Sequence, residues 1–327
     1  MGGKKGKNAS VPAPRESTAE SSTNKTISTT MSGFAEQASR NGIILGLGES
    51  ESPENMDEMR ERHNQSRGTA SPTESMYQDY VQAVGQASNE ATIAAEVNQR
   101  LLKLYPKENY GRAFNKAVTG FPENVGFNNG LSTPQPDFVQ GLGLKQFRPL
   151  PIKDQVDTAV LYKGDSNSIT LPHMTGEFKK KGGDMETARQ QSAYAGAALS
   201  HGRNQALGYM GKPPTAGHAN VTSFTTNGIN LNLFGHHTTQ SEEGTTEYHQ
   251  CPISSTNLTV SHQEFKKGYK QIRNAQDHAR EESYKLRDQL KEHWEARKAI
   301  EASSPSAANT AGSRGNKRSG SHRDGRG

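Results

Sequence analysis

Residues 168–199, "SITLPHMTGEFKKKGGDMETARQQSAYAGAAL", carry most of what the chain says about its fold. The first half alternates. In an extended strand Met174, Gly176 and Phe178 share one face, and Thr175, Glu177 and Lys179 share the other. Gly182 and Gly183 then turn the chain, and the second half is spaced as a helix with Ala188, Gln191, Ala195, Ala198 and Leu199 along one side. Side chains this small let a helix backbone lie close against a sheet. A carboxylate, Glu177, and an ammonium, Lys179, meanwhile sit together on one strand face.

The flanking segments extend the pattern. Downstream, Asn227-Gly228 in "NVTSFTTNGINLNLFGHHT" divides two alternating runs, which predicts a hairpin, and "TEYHQCPISSTNLT" supplies a further strand. From Ser261 the chain becomes a long charged helix with Phe265, Tyr269, Ile272 and Ala279 on one stripe, packed at its start and solvated toward its end. Upstream, "TPQPDFVQGLGL" contains Pro134 and Pro136, which hold the chain extended, so that Asp137 opens a strand through Phe138 and Val139. "VDTAVLYK" is a further short strand or turn.

Before these, residues 71–106 read as helix between a Ser-Pro-Thr-Glu start and Pro106. If that helix is continuous, Glu90 falls inside the apolar arc formed by Ala87, Ile93, Ala94, Val97, Leu101 and Leu104, while Glu96 falls outside it. A carboxylate on a buried face needs a partner or a cation. If the helix is instead broken near Ser88-Asn89, Glu90 sits in a first turn, where the helix dipole favours acids. The order helix, strands, helix, strands, helix predicts a mixed α/β domain over 72–302.

The termini differ in kind. Only 30% of the 327 residues are apolar and the mean hydropathy is -0.90, so the core must be concentrated. Residues 1–71 and 303–327 are rich in Ser, Thr, Gly, Asn and Pro, a composition that predicts disordered tails. Five basic residues against one acid fall in 303–327, and nine against ten in 1–75, which leaves the middle close to neutral within a total of +5. The basic balance is therefore mostly a tail property and supports a nucleic-acid partner only weakly. A single cysteine, Cys251, excludes an internal disulfide and reads as a buried thiol in a reducing compartment. No long apolar stretch predicts a membrane span, and the N-terminus lacks a signal-peptide apolar region. The expectation is a soluble intracellular protein; "KKGKN" and "GNKRSGSHR" are compatible with nuclear entry and equally with a solvated basic tail. His236, His237 and His249 are expected at the surface, and adjacent strand positions would point His236 and His237 to opposite faces.

Pro136-Asp137 at the start of one strand, Glu177-Phe178-Lys179 on another, and a following helix bearing Gln191 resemble the PD-(D/E)XK nuclease superfamily. The blocks "NEATIAAEVNQRLLKLYP", "FPENVGFNNGLSTPQPD" and "EFKKKGGDMETARQQSAYAGA" are similar to a group of uncharacterised fungal proteins assigned to that class, over about residues 72–300. The resemblance implies a restriction-endonuclease-like core and Mg²⁺ or Mn²⁺ held by Asp137, Glu177 and Glu90. It also implies Lys179 as the catalytic cation and Gln191 in support. A hard divalent cation takes oxygen ligands and is commonly held by one or two carboxylates. Two functions follow from different classes: a metal-dependent phosphodiesterase acting on nucleic acid, or a catalytically inactive version that recruits protein partners through its tails or C-terminal helix.

Overall fold

A computed structural model describes Gly2 and residues 26–303 apart from positions 47, 107, 108 and 215. Its centre is the unit opened by residues 168–199. Strand β4 (Ile169–Phe178) leads through helix α6 (Met185–Tyr209) to β5 (Val221–Thr226), which lies parallel to β4 with Thr175 beside Ser223 and Glu177 beside Thr225. The turn between β4 and α6 uses Gly182 at φ 70, a left-handed conformation that glycine adopts without penalty. Asp184 then caps the helix by accepting from the Glu186 and Thr187 amides.

The remaining strands complete a seven-stranded mixed sheet, the α/β architecture expected. They are β1 (Ile43–Ile44), β2 (Tyr110–Phe114), β3 (Phe138–Gly143), β6 (Asn230–Gln240) and β7 (Thr246–Asn257), in the order β1-β7-β6-β5-β4-β3-β2. Only β1–β7 and β4–β5 are parallel. The hairpin at Asn227-Gly228 forms as expected, with Gly228 at φ 81. Residues 71–106 divide into α3 (Glu74–Gln86) and α4 (Glu90–Arg100), the broken alternative. Asn89 causes the break by capping α4, its side chain accepting from the Thr92 amide.

Helices α3, α4 and α7 (His262–Ser303) cover one sheet face. Phe138, Met174, Phe178 and Phe224 from the strands meet Tyr80, Ile93, Val97, Phe265 and Ile272 there in one apolar cluster. Contact along α7 continues as a stripe to Leu290, after which the helix is largely exposed.

On the opposite face α6 is buried at every residue from Ser192 to Gly202. A helix buried all round needs a cover on its outer side, and the N-terminal segment supplies part of it. Helix α1 (Phe34–Arg40) and β1 place Phe34, Ala38 and Ile43 against Tyr194, Ala197 and Ala198, together with Phe127 and Leu131 of a long loop. A further helix, α2 (Met56–Asn64), buries Met56 and Met59. The expectation of a disordered segment over 1–71 is therefore corrected for residues 26–71. Their few apolar side chains have no periodic partner of their own and become meaningful only against distant elements, those of α1 and β1 against α6 and β7 and those of α2 in the cluster with α7. The rest of that tail, apart from Gly2, and residues 304–327 lie outside the described residues. Among those described, no helix is long and apolar enough to cross a membrane.

Candidate functional site

The site begins at the edge where β3 and β4 run antiparallel. Phe138 pairs with Gly176, so the next register step places Asp137 opposite Glu177, two residues 40 positions apart in sequence. The intervening chain forms a 3₁₀ turn (Leu144–Phe147), the short helix α5 (Ile152–Gln155) and an isolated bridge between Val160 and Thr170. Pro134 and Pro136 keep the approach to β3 extended, and the Phe178 amide donates to Asp137 Oδ2 at 2.8 Å. That bond fixes the carboxylate at the end of β4.

Glu177 is only 2% exposed. Burial, and then the adjacent Asp137 carboxyl within hydrogen-bonding reach, push its pKa well above the ordinary glutamate range; Lys179 offsets this in part. The Glu177 carboxyl therefore keeps its proton where a free glutamate would have lost it. Lys179 continues the β4–β5 pairing through its amide, which donates to the Thr226 carbonyl at 2.9 Å. Its Nζ stands 3.8 Å from Glu90 Oε2, with the lysine side chain 14% exposed.

Glu90 lies in the first turn of α4 and lines an open cleft of about 380 Å³ with Asn98, Phe114, Asn115, Asp137 and Phe178. It approaches from the α4 side, whereas Glu177 belongs to the opposite strand face. Among the described residues no group of three or more His, Cys, Asp or Glu side chains is placed to hold a metal ion. The structure sets Asp137 and Glu177 opposite each other across two strands, while Glu90 stands at the start of α4 beside Lys179. Gln191 does not reach the pair by any hydrogen bond: its Nε2 donates to Thr29 Oγ1 at 3.2 Å, and its Oε1 is buried without a partner.

Residue spacing could not have found Arg112 of β2. Its guanidinium bonds Asn98 Oδ1 and the Lys103 carbonyl and lies over the Phe138 ring at 5.7 Å, and burial lowers its pKa to about 10. Strand β2 is short, contains Gly111 and follows a turn; only pairing with β3 reveals it.

The histidines are corrected as well. His236, His237 and His249 are each at most 4% exposed. His236 points toward α6, where its Nε2 meets Ser223 Oγ at 2.6 Å, and Ser223 Oγ in turn meets Ser192 Oγ at 2.6 Å. His237 points to the other face, as expected of its neighbour in a strand, and stacks on His249 of β7 with centroids 4.8 Å apart. Cys251 is a buried thiol, pushed up to about 11 by burial.

A family model described as a domain of unknown function, DUF7924, matches residues 54–290, more than two thirds of the chain. The chain belongs to the DUF7924 family. Asp137, Glu177, Lys179, Glu90 and Gln191 all fall within the DUF7924 span, whereas α1 and β1, which cover α6, precede it. No curated protein and no solved structure matches the chain.

Proposed function

We propose that Asp137, Glu177 and Lys179 form the hydrolytic centre of a PD-(D/E)XK-type phosphodiesterase that acts on nucleic acid. The observation that carries this reading is the cross-strand pair of Asp137, which lines an open cleft, and the buried Glu177 behind it, with Lys179 near enough to offset part of the rise in the Glu177 pKa. Two carboxyl groups suit a hydrated Mg²⁺ or Mn²⁺ ion, whose remaining positions go to water and substrate phosphate. Such an ion would polarise the phosphodiester and lower the pKa of a bound water. Glu177 must release its proton to become a ligand, so metal binding and proton release are coupled. Asp137 is held in place by the Phe178 amide, which donates to its Oδ2. The Lys179 ammonium, loosely paired with Glu90, is near enough to stabilise charge developing on a phosphate.

Calorimetry of the full chain with Mg²⁺ and Mn²⁺ tests this. Wild type should bind with proton release, seen as an enthalpy that varies with buffer, and Asp137→Asn with Glu177→Gln should abolish binding. Lys179→Ala should keep metal binding and lose hydrolysis of labelled oligonucleotides.

One observation favours a second reading. The pair has no third metal-ligating neighbour among the described residues, which suits a protein that has kept the fold and lost catalysis, with α7 and the tails recruiting protein partners. A folded wild type that binds neither ion would select that reading.

A further inference from the structure

A second cleft, of about 400 Å³, opens between the loop following α2 and the first turns of α7. Its walls carry Arg67, Lys266, Lys267 and Lys270, with the hydroxyls of Thr69 and Ser71, and no aspartate or glutamate lines it. Lys266 and Lys270 stand one helical turn apart, half-buried, and neither has a carboxylate partner among the described residues. Lys267 pairs with Glu264 at 3.6 Å, and Arg67 with Asp277 at 2.7 Å. Two ammonium groups without a carboxylate partner, set side by side in a cleft with no acid on its walls, make a positive surface that attracts an anion.

The charge does not end at the cleft. Tyr269, on its wall, carries the Arg273 guanidinium on its ring at 3.9 Å, and Arg273 Nε donates to the Leu101 carbonyl at 2.9 Å. Two residues on, Lys103 shares Asp277 with Arg67, and its carbonyl accepts from Arg112. Arg112 bonds Asn98, which lines the cleft at Asp137. Basic residues therefore recur from the second cleft to the cleft at Asp137, linked through the Leu101 and Lys103 carbonyls and the Asn98 amide, with Asp277 neutralising two of them. On the other side of Arg67, by contrast, the adjoining cleft is lined by both Asp277 and Glu281. From Lys266 to Arg273 the helix rises about 10 Å, enough to follow about three phosphates of a strand at ~3.4 Å each.

We infer that this cleft docks the phosphate backbone of a nucleic-acid strand and leads it along α7 and β2 toward Asp137 and Glu177. The inference rests on the proposed function for its ligand and concerns binding alone. Phosphate contacts of this kind position a strand without reading its bases.

The test is fluorescence anisotropy of the full chain with labelled single- and double-stranded DNA and RNA oligonucleotides in EDTA, over a range of salt. Wild type should bind with a steep salt dependence. Lys266→Glu with Lys270→Glu should weaken binding at least tenfold and reduce the salt slope by about 1–2, and the milder Lys266→Gln with Lys270→Gln should fall between. Unchanged affinity in the charge-reversal variant, with an unchanged circular dichroism spectrum, would overturn the inference. So would a wild type that binds no oligonucleotide, or that prefers a phosphopeptide of equal charge. Binding without any hydrolysis in Mg²⁺ or Mn²⁺ would remove the hydrolase reading and leave the docking site standing. Hydrolysis indifferent to charge reversal would do the reverse.

Discussion

Ser223 and Phe224 are neighbours in β5 and face two different kinds of interior. Phe224 enters an apolar cluster in which Phe138 and Phe178 lie at 5.5 and 5.6 Å between centroids. Ser223 enters a polar seam between sheet and helix, where Ser192, His236 and the Gln250 amide form one connected set under α6. The first interior is held by area removed from water, which is non-directional. The second depends on close approach and on hydrogen bonds that have no water to replace them. Glu177, beside Thr225, belongs to the polar side. A protonated carboxyl is tolerated there because its surroundings can share a hydrogen bond, whereas on the Phe224 side it would be stranded.

Three experiments would break or sharpen that contrast. Phe224→Ala should have the largest effect, a loss of about 3–5 kcal/mol from a fully buried ring, measured by urea unfolding; a loss under about 1 kcal/mol would mean that the apolar face is not the main source of stability.

Next comes Gly196→Ala. A Cβ at this position would overlap the His236 ring, so helix or ring must shift, at a cost of about 1–3 kcal/mol. Alanine is otherwise the better helix former, so a stabilised variant would show that α6 and β6 are less closely apposed than described.

The smallest effect concerns pH. The raised pKa of Glu177 favours the folded chain fully below the ordinary value of 4.5, and that contribution is lost as pH rises through the raised value. Buried His236 acts in the opposite sense. Its pKa is lowered from 6.5 to about 3, so its contribution is full above 6.5 and is lost as pH falls toward about 3. Thermal melts across this range should show Glu177→Gln matching wild type in acid and gaining on it by a few degrees as pH rises. A constant offset between the two at every pH would mean that Glu177 is ionised in the folded chain.

Much of the fold was legible in local pattern. Alternation marked β4, the Asn-Gly pair marked the β5–β6 turn, and helical spacing marked α7. The Asp137–Glu177 pairing was legible as a motif, and strand register brings the two side chains face to face. Less legible were the features that depend on a distant partner. Glu90 was given a metal role by the resemblance, while its place on the wheel left a buried face and a first turn both open; Asn89 decides for the first turn, at a helix end beside Lys179. Gln191 turns to Thr29, in a segment whose composition looked like solvent-exposed chain. The histidines looked polar enough for the surface, yet His236 is held inside by a serine from the neighbouring strand, and His237 stacks on a cross-strand histidine.

By itself the sequence determined β4, α6 and α7, the Asn227-Gly228 turn and the small-residue character of α6, because these follow from backbone conformation and side-chain size within a few residues. Only the tertiary structure decided that residues 26–45 cover that helix, that Glu90 stands at a helix end beside Lys179, and that lysines of α7 meet Arg67 in a cleft with no acid on its walls. Each of these depends on which distant surfaces meet, and burial and charge act through space without regard to separation along the chain.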